Sequence, residues 1–497
     1  MALLRCGFLS QYTQHHLLVF LLTFLSYALL HASRKTFSNV KVSITAQWTP
    51  SIQNASLPIL APGQVWNENQ LFPDPQEATL FLGALDTIFL FSYAVPFPIP
   101  PISGIIGDRL NLRYVLSCGL CCSAAVEFVF GTLTEWFHFY NVYFYCSLWG
   151  LNGLLQSTCW PCVVAVMGNW FGKAGRGFIF GMWSACASVG NILGAFLASC
   201  VLKYGYEYAF LVTSSVQFAG GVVVFFGLLS SPEELGLQDP AEGEGASERD
   251  EDSRRPLIGD GEEVDDGIDY SIQGEEPNKK PAPIGFFQAF CLPGVLSYSL
   301  AYACLKLVNY SFFFWLPFYL SVNYGWKETE ADQLSIWYDV GGIIGGTVLG
   351  LISDVLQKRA PVLAVSLILA MGSLIGYSHS PNNQPVNAVL MAITGFFIGG
   401  PSNMISSAIS ADLGRQEVLQ GSKEALATVT GIVDGTGSVG AAAGQYLVSL
   451  IESKLNWMCV FYFFIVMTGG SLIFISPLIV NEVRAMLQER RSQVHRL

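Results

Sequence analysis

The sequence predicts an all-α membrane protein of twelve transmembrane helices, arranged as two pseudo-symmetric six-helix halves. Three observations carry that expectation. Of 497 residues, 52% are hydrophobic and only 12% charged, far below the charged share of an ordinary soluble domain. The apolar residues fall in long blocks: His16 to Ala32 holds no Asp, Glu, Lys or Arg, and Tyr206 to Ser231 holds a single early acid, Glu207. The blocks divide evenly, six before Ser231 and six after Gly285. About 20 apolar residues suffice to cross the hydrocarbon core. The backbone finds no water there, so each block closes its own hydrogen bonds as a helix.

In chain order the first six blocks cover residues 17–39, 79–106, 113–133, 140–168, 177–202 and 206–230. The second six cover 289–322, 333–353, 361–379, 385–411, 424–451 and 457–480. The domain reading is therefore an N-terminal half over 1–230, a linking segment over 231–285, and a C-terminal half over 286–497. The second block contains Pro96-Phe97-Pro98-Ile99-Pro100-Pro101. Proline inside a helix removes a hydrogen bond and clashes with the preceding turn. Either this helix is discontinuous, or the stretch is a sequence error or local oddity; the second reading is preferred.

The net charge of −12 is concentrated in the link. Between Ser231 and Lys280 lie 17 acids and 5 bases, which leaves 20 of each in the rest of the chain. The link is rich in Glu, Asp, Gly and Pro and has too little apolar surface to fold, so it is expected to be disordered. Its acidity gives no reason to expect a nucleic-acid partner. Twelve cysteines are scattered, mostly within apolar blocks, with no disulfide framework. Cys159-Trp160-Pro161-Cys162 imitates a redox pair but lies inside a block rather than beside a βαβ unit. No nucleophile–base pair, metal-ligand cluster or cofactor motif is present, so the chain reads as no enzyme.

Orientation follows from Lys and Arg. One set of loops carries Arg109, Arg113, Lys173, Arg176, Lys358, Arg359 and Arg415, and the C-terminal tail adds four more arginines. The opposite loops hold only Lys41, Lys203, Lys327 and Lys454. The excess of bases marks the cytosolic side, which puts both termini and the acidic link in the cytosol. No cleavable signal peptide is expected, the first block acting as anchor. Residues 41–78 then face the lumen or exterior, and the sequon at Asn54 is a glycan acceptor. The second match, Asn309-Tyr310-Ser311, lies within a block and is discounted.

An internal repeat supports the two halves. Gly181, Ser188-Val189-Gly190 and Gly194 recur as Gly431, Ser438-Val439-Gly440 and Gly444 at identical spacing. Small residues at such intervals let helix backbones approach closely.

Between blocks two and three stands a Gly-x-x-x-Asp-Arg pattern, Gly104 to Asp108-Arg109, followed by Arg113; the second half echoes it at Gly350 to Asp354, then Lys358-Arg359. An Asp at a helix end accepts backbone N–H bonds and pairs with a nearby Arg, a latch that holds one face shut and releases it on opening. The pattern resembles the cytoplasmic loop motif of the major facilitator superfamily, whose six-helix halves rock about a central site. Further segments narrow the resemblance: Ser33-Arg34-Lys35, Gln156 to Pro161, Gly168 to Lys173, Trp315-Leu316-Pro317, Asp339 to Gly346 and Asp434 to Gly440. Together they resemble the sugar-phosphate exchangers, kin of the bacterial organophosphate:phosphate antiporters, over nearly the whole chain except the link. The resemblance implies exchange of a phosphate ester for inorganic phosphate, in an endomembrane of the endoplasmic reticulum or lysosome. A phosphonate offers nearly the same oxygens and is an equal candidate.

Arg34, with Lys35 beside it, is the foremost candidate for the substrate. A guanidinium in a spanning helix is costly unless it faces a polar cavity, and its planar fork fits phosphate oxygens; in the relatives a base at the matching position binds phosphate. The alternative is that Arg34 snorkels to the membrane face. Lys306 is the sole charge of the seventh block. Aligned on Trp315-x-Pro317, the relatives' second base falls near Asn309, so either Lys306, displaced by a turn, supplies the second phosphate contact or that contact is missing; Lys306 and Asn309 are both candidates. Asp86, Asp339 and Asp434 are intramembrane acids that pair with Lys306 or Arg34, carry a proton, or cap helix breaks. The expected partners are a small anion, membrane lipid and an accessory membrane protein. The rival reading is a non-transporting membrane subunit or sensor that keeps the fold and acts through partner proteins.

Overall fold

The structure, a computed structural model, describes residues 13–49, 71–94, 111–171, 182–236, 286–356, 358–413 and 423–494. The proline-rich stretch 96–101, the sequon at Asn54 and most of the acidic link lie outside these residues.

In the N-terminal half, α1 (Gln14–Asn39) breaks at Val40 and resumes as α2 (Lys41–Trp48). Then come α3 (Pro75–Ala94), α4 (Leu112–Glu127), α5 (Val142–Ser157), α6 (Cys159–Trp170), α7 (Cys186–Val201) and α8 (Tyr206–Gly227). The C-terminal half contains α9 (Val295–Tyr324), α10 (Glu328–Leu356), α11 (Ala360–Ser378), α12 (Gln384–Met404), α13 (Lys423–Lys454) and α14 (Trp457–Val494). Among the described residues, ten helices are long and apolar enough to cross a membrane. The remaining two passages are α13, whose Gly and Ser content lowers its hydropathy, and the α5–α6 pair, offset at Thr158. Pro161 has no N–H to give Ser157, which interrupts the ladder at that joint. Side-chain oxygens of Asn111, Asn141 and Asn383 accept backbone N–H bonds at the starts of α4, α5 and α12, satisfying donors that a helix start leaves open.

Several boundaries differ from the sequence expectation. The eighth passage begins at Glu328, not 333, so Glu328 and Asp332 belong to the helix. The third and tenth passages each contain a π-helical turn, Phe128–Leu133 and Ile405–Ile409. Such turns insert an extra residue and re-aim neighbouring side chains. The second follows Pro401 in α12, and the first follows Glu127 in α4.

The repeat glycines are where helices touch. A Cβ at Gly190 would stand 2.2 Å from the Ala28 carbonyl oxygen, and one at Gly194 would stand 2.4 Å from that of Ala32. In the other half, Gly440 meets the Ala303 carbonyl oxygen at 2.6 Å and Gly444 meets Leu307 at 2.2 Å. Thus α7 lies on α1 as α13 lies on α9. The halves meet through α1 with α9, α3 with α13, and α7 with α10.

The register of those contacts fixes the correspondence between halves. Ala28 answers to Ala303 and Ala32 to Leu307, an offset of 275 (303 − 28; 307 − 32). The same offset carries Arg34 to Asn309 and His31 to Lys306.

Candidate functional site

Where the two halves face each other lies a cavity of about 120 Å³, room for several waters or one small anion. Its wall includes Tyr27, His31 and Lys35 of α1, Lys306 and Asn309 of α9, Asp339 of α10 and Asp434 of α13. Those α1 positions follow a spacing of four, one face of a helix. Ser406 and Ser407 reach the wall from the π turn after α12.

The cations around this cavity differ in how they are compensated. The Lys306 ammonium donates to Asp434 Oδ1 at 2.8 Å and to Ser438 Oγ at 2.8 Å, making a largely buried ion pair within the C-terminal half. Lys35 Nζ donates to the Phe313 carbonyl oxygen at 2.7 Å, across the interface. Arg34, only 3% exposed, forms no ion pair among the described residues. Its Nε donates to Gln156 Oε1, and its Nη2 is buried without a hydrogen-bond partner. The guanidinium carbon stands 4.8 Å from the Tyr93 ring centre and 5.9 Å from that of Tyr27. Both rings line the cavity. Arg34 therefore does not snorkel to the membrane face; it stands behind two tyrosines at the cavity wall, its charge met by ring faces and one amide.

Asn309, the counterpart of Arg34, accepts from the Tyr338 hydroxyl at 2.8 Å and donates to Ser402 Oγ at 3.3 Å. Asp339 accepts from Asn191 Nδ2 at 2.7 Å, and Asn191 Oδ1 lies 3.0 Å from His31 Nδ1. Of the three expected acids, Asp434 thus pairs with Lys306, and Asp339 meets neither Lys306 nor Arg34 in a hydrogen bond.

Asp86 has another partner. Its Oδ2 lies 2.5 Å from Lys41 Nζ, and both side chains are wholly buried. This corrects the reading of Lys41 as a loop base. Val40 interrupts the helix for one residue while the i→i−4 bonds from Val40 to Thr36 and from Ile44 to Val40 carry on, so α2 prolongs α1 beside α3, and the Lys41 ammonium lies 3.5 Å from the Trp315 ring centre on α9. A buried charge needs both a counter-charge and further contacts, and Lys41 has both. Nearby, Ser38 Oγ donates to the carbonyl oxygens of Phe313 and Phe314 at 2.7 and 3.0 Å, Ser43 binds the Glu328 carboxylate, and Thr87 donates to Ala442 at 2.8 Å. Hydrogen bonds between the halves, among the described residues, run from the Asn191–Asp339 level toward this α2 end.

The opposite end holds the loop-motif residues that are described, Arg113, Asp354 and Arg359. Gly104, Asp108 and Arg109 lie outside the described residues, and Asp354 lies in the last turn of α10. Arg113 donates to the Leu228 carbonyl oxygen at 3.4 Å and approaches Glu234 at 3.9 Å. Arg359 pairs with Asp412 at 2.9 Å and reaches Ser353. The Arg359 contacts stay within the C-terminal half, and those of Arg113 hold the end of α8 and the start of the link to α4.

Sequence reasoning missed Glu127, wholly buried on α4. Its Oε1 accepts from Asn152 Nδ2 at 3.2 Å and from Gln156 Nε2 at 3.3 Å. The available signals were an acid inside an apolar block and the polar pair Asn152 and Gln156, four apart and so on one helix face. Among the described residues, no group of three or more His, Cys, Asp or Glu side chains is placed to hold a metal ion.

Comparison with known proteins accords with this architecture. The description of the Major Facilitator Superfamily matches residues 23–422. The chain is 74% identical over 486 residues to "Sugar phosphate exchanger 3" of Gallus gallus, covering 98% of this chain and 96% of the relative. It is 70% identical to the protein of the same name in Homo sapiens, covering 99% and 98%. To "Glucose-6-phosphate exchanger SLC37A2" of Bos taurus it is 36% identical, covering 94% of each chain. Two six-helix halves around a central cavity, matched over most of the sequence, place the chain plainly: it is a multi-pass membrane protein and belongs to the Major Facilitator Superfamily.

Proposed function

We propose that this chain is a secondary-active exchanger that carries an organic phosphate or phosphonate against inorganic phosphate by alternating access. The observation that carries the reading is Arg34: a guanidinium buried in a spanning helix, unpaired with any described carboxylate, with an Nη2 that is buried without a hydrogen-bond partner behind the cavity wall. An anion entering a low-dielectric cavity loses hydration and needs fixed positive charge, and a fork of N–H donors supplies it with direction. The names of the relatives, sugar phosphate and glucose-6-phosphate exchangers, agree with such cargo.

In this reading Arg34 takes the phosphoryl oxygens, Lys35 and Lys306 add positive charge, and Asn309 offers a neutral polar contact. The Gly104–Arg113 and Asp354–Arg359 motifs work as cytosolic latches. Both termini and the acidic link 231–285 face the cytosol, between halves 1–230 and 286–497, and Asn54 carries a glycan in the lumen of the endoplasmic reticulum or lysosome. The inter-half bonds then join the luminal side, so the cavity reaches toward the cytosol. Separation of those bonds and closure of the cytosolic latches completes the alternation.

Counterflow into proteoliposomes tests the proposal. Vesicles preloaded with inorganic phosphate should take up labelled phosphate, hexose phosphates or phosphonates, and empty vesicles should not. Uptake indifferent to the anion inside, or no uptake across the panel, would overturn it.

A further inference from the structure

A buried arginine that must bind an anion faces a conflict. Left alone, its charge is destabilising in the membrane interior; paired directly with a carboxylate, its donor edge is occupied. The network behind Arg34 resolves this with one amide. Gln156 presents Oε1 to Arg34 Nε. Its Nε2, with two N–H groups to give, has three acceptors in hydrogen-bond range: Ser123 Oγ at 2.9 Å, Asn152 Oδ1 at 3.1 Å and Glu127 Oε1 at 3.3 Å. Three acceptors on the nitrogen side leave the amide one orientation, oxygen toward the guanidinium. Asn152, which itself donates to Glu127, and Ser123, which donates to Asn152 Oδ1 at 2.6 Å, hold the pattern from α4 and α5.

We propose that Glu127 is the positioning residue for Arg34: acting through Gln156, it offsets the arginine's charge from one amide away and leaves the Nη2 edge free for the phosphate oxygens. The inference rests on the reading of Arg34 as the anion's ligand. Glu127 touches no substrate. Its carboxylate sets which end of the Gln156 amide faces Arg34, and the amide dipole lies between a negative and a positive group. The contacts of Glu127 converge on this network. Glu127 is fully enclosed, its Oε2 has no hydrogen-bond partner, and it forms no ion pair among the described residues. The π turn that begins immediately after it, Phe128–Leu133, marks a departure from regular helix at this residue, and such turns recur at functional positions.

The test is phosphate self-exchange by full-length protein in proteoliposomes, at matched insertion, with half-saturating phosphate and maximal rate read separately. Glu127→Gln removes the charge and weakens the set of acceptors that orients the Gln156 amide. It should raise half-saturation about tenfold, the scale of one charge-assisted hydrogen bond, with a smaller change in maximal rate. Combining it with Arg34→Lys should add little, because lysine has no Nε–H for Gln156 to hold; a purely structural role would make the two effects multiply. The exchange Glu127→Gln with Gln156→Glu keeps total charge but sets a carboxylate directly on Arg34, and should abolish saturable exchange. Should Glu127→Gln give no folded monomer, Glu127→Asp is read the same way, with a smaller rise. If Arg34→Lys leaves phosphate saturation unchanged, the assignment of Arg34 itself fails. If Arg34→Lys weakens phosphate while Glu127→Gln saturates like wild type, or the two effects multiply, Glu127 does not position Arg34 and the proposal is wrong.

Discussion

The two halves share a packing plan and differ in how they hold positive charge. In the C-terminal half, Lys306 is neutralised at 2.8 Å by Asp434. In the N-terminal half, Arg34 meets, among the described residues, an amide and aromatic side chains but no carboxylate. The repeat makes the contrast sharper, since the position equivalent to Arg34 is Asn309, and Lys306 answers to His31. Equivalent backbone has thus been given unequal electrostatics: one half offers an open charge, the other a charge already engaged. We read the first as the anchor for an incoming anion and the second as a site where the anion competes with a resident carboxylate.

Within the C-terminal half, the largest expected effect comes from breaking the engaged pair on one side only. Lys306→Ala leaves Asp434 facing the cavity, repelling any anion, and should reduce phosphate exchange by about a hundredfold or more, since uncompensated buried charge is worth several kcal/mol. Lys306→Ala with Asp434→Ala should recover exchange to within about tenfold of wild type, the worth of one charged hydrogen bond. A double variant as dead as the single one would mean Lys306 is a direct and indispensable ligand, and the two halves would be equivalent after all.

Stability separates a structural pair from these. Lys41→Met strands Asp86 in a fully buried site, and should cost about 3–5 kcal/mol, read as a lowered unfolding temperature in detergent. Lys41→Met with Asp86→Leu should regain most of it. An unchanged melting temperature in the single variant would show that the pair contributes nothing.

The symmetry of packing is open to a milder challenge. Gly190→Ala and Gly440→Ala each push a methyl group onto a backbone carbonyl, at 2.2 and 2.6 Å. Both should lower stability by about 1–3 kcal/mol, and by similar amounts. Tolerance at one and failure at the other would end the equivalence of α7 on α1 with α13 on α9.

These contacts show which features the sequence disclosed. Helix number followed from the blocks, because a membrane leaves the backbone no alternative. The glycine repeat disclosed the helix contacts, because close approach excludes side chains. Arg34 and Lys306 were visible as isolated charges in apolar runs. Lys41 was not, since hydropathy fades after Asn39 and nothing local signals that the helix continues and brings Lys41 to Asp86 on α3. Glu328 and Asp332 were excluded because two acids end an apolar block, although Asp332 is fully buried. Glu127 was overlooked as one acid among apolar neighbours, and its importance depends on Gln156, 29 residues away, which only the register of α4 against α5 reveals.

The smallest effect is expected between the halves. Removal of residues 240–280 from the acidic link should leave the unfolding temperature and phosphate exchange within error of wild type, because a sequence so charged and so poor in apolar residues has little to pack. Loss of a detergent-stable monomer would instead make the link a packed domain.

The central claim, that the open charge of the N-terminal half is the anchor, is met most directly by equilibrium binding of labelled phosphate to purified protein, since binding is free of the reorientation step that transport includes. Arg34→Ala should show no saturable binding, and Arg34→Lys should bind about tenfold or more weakly, having charge without the fork. Wild-type affinity in folded Arg34→Ala would contradict the account and remove Arg34 from the site.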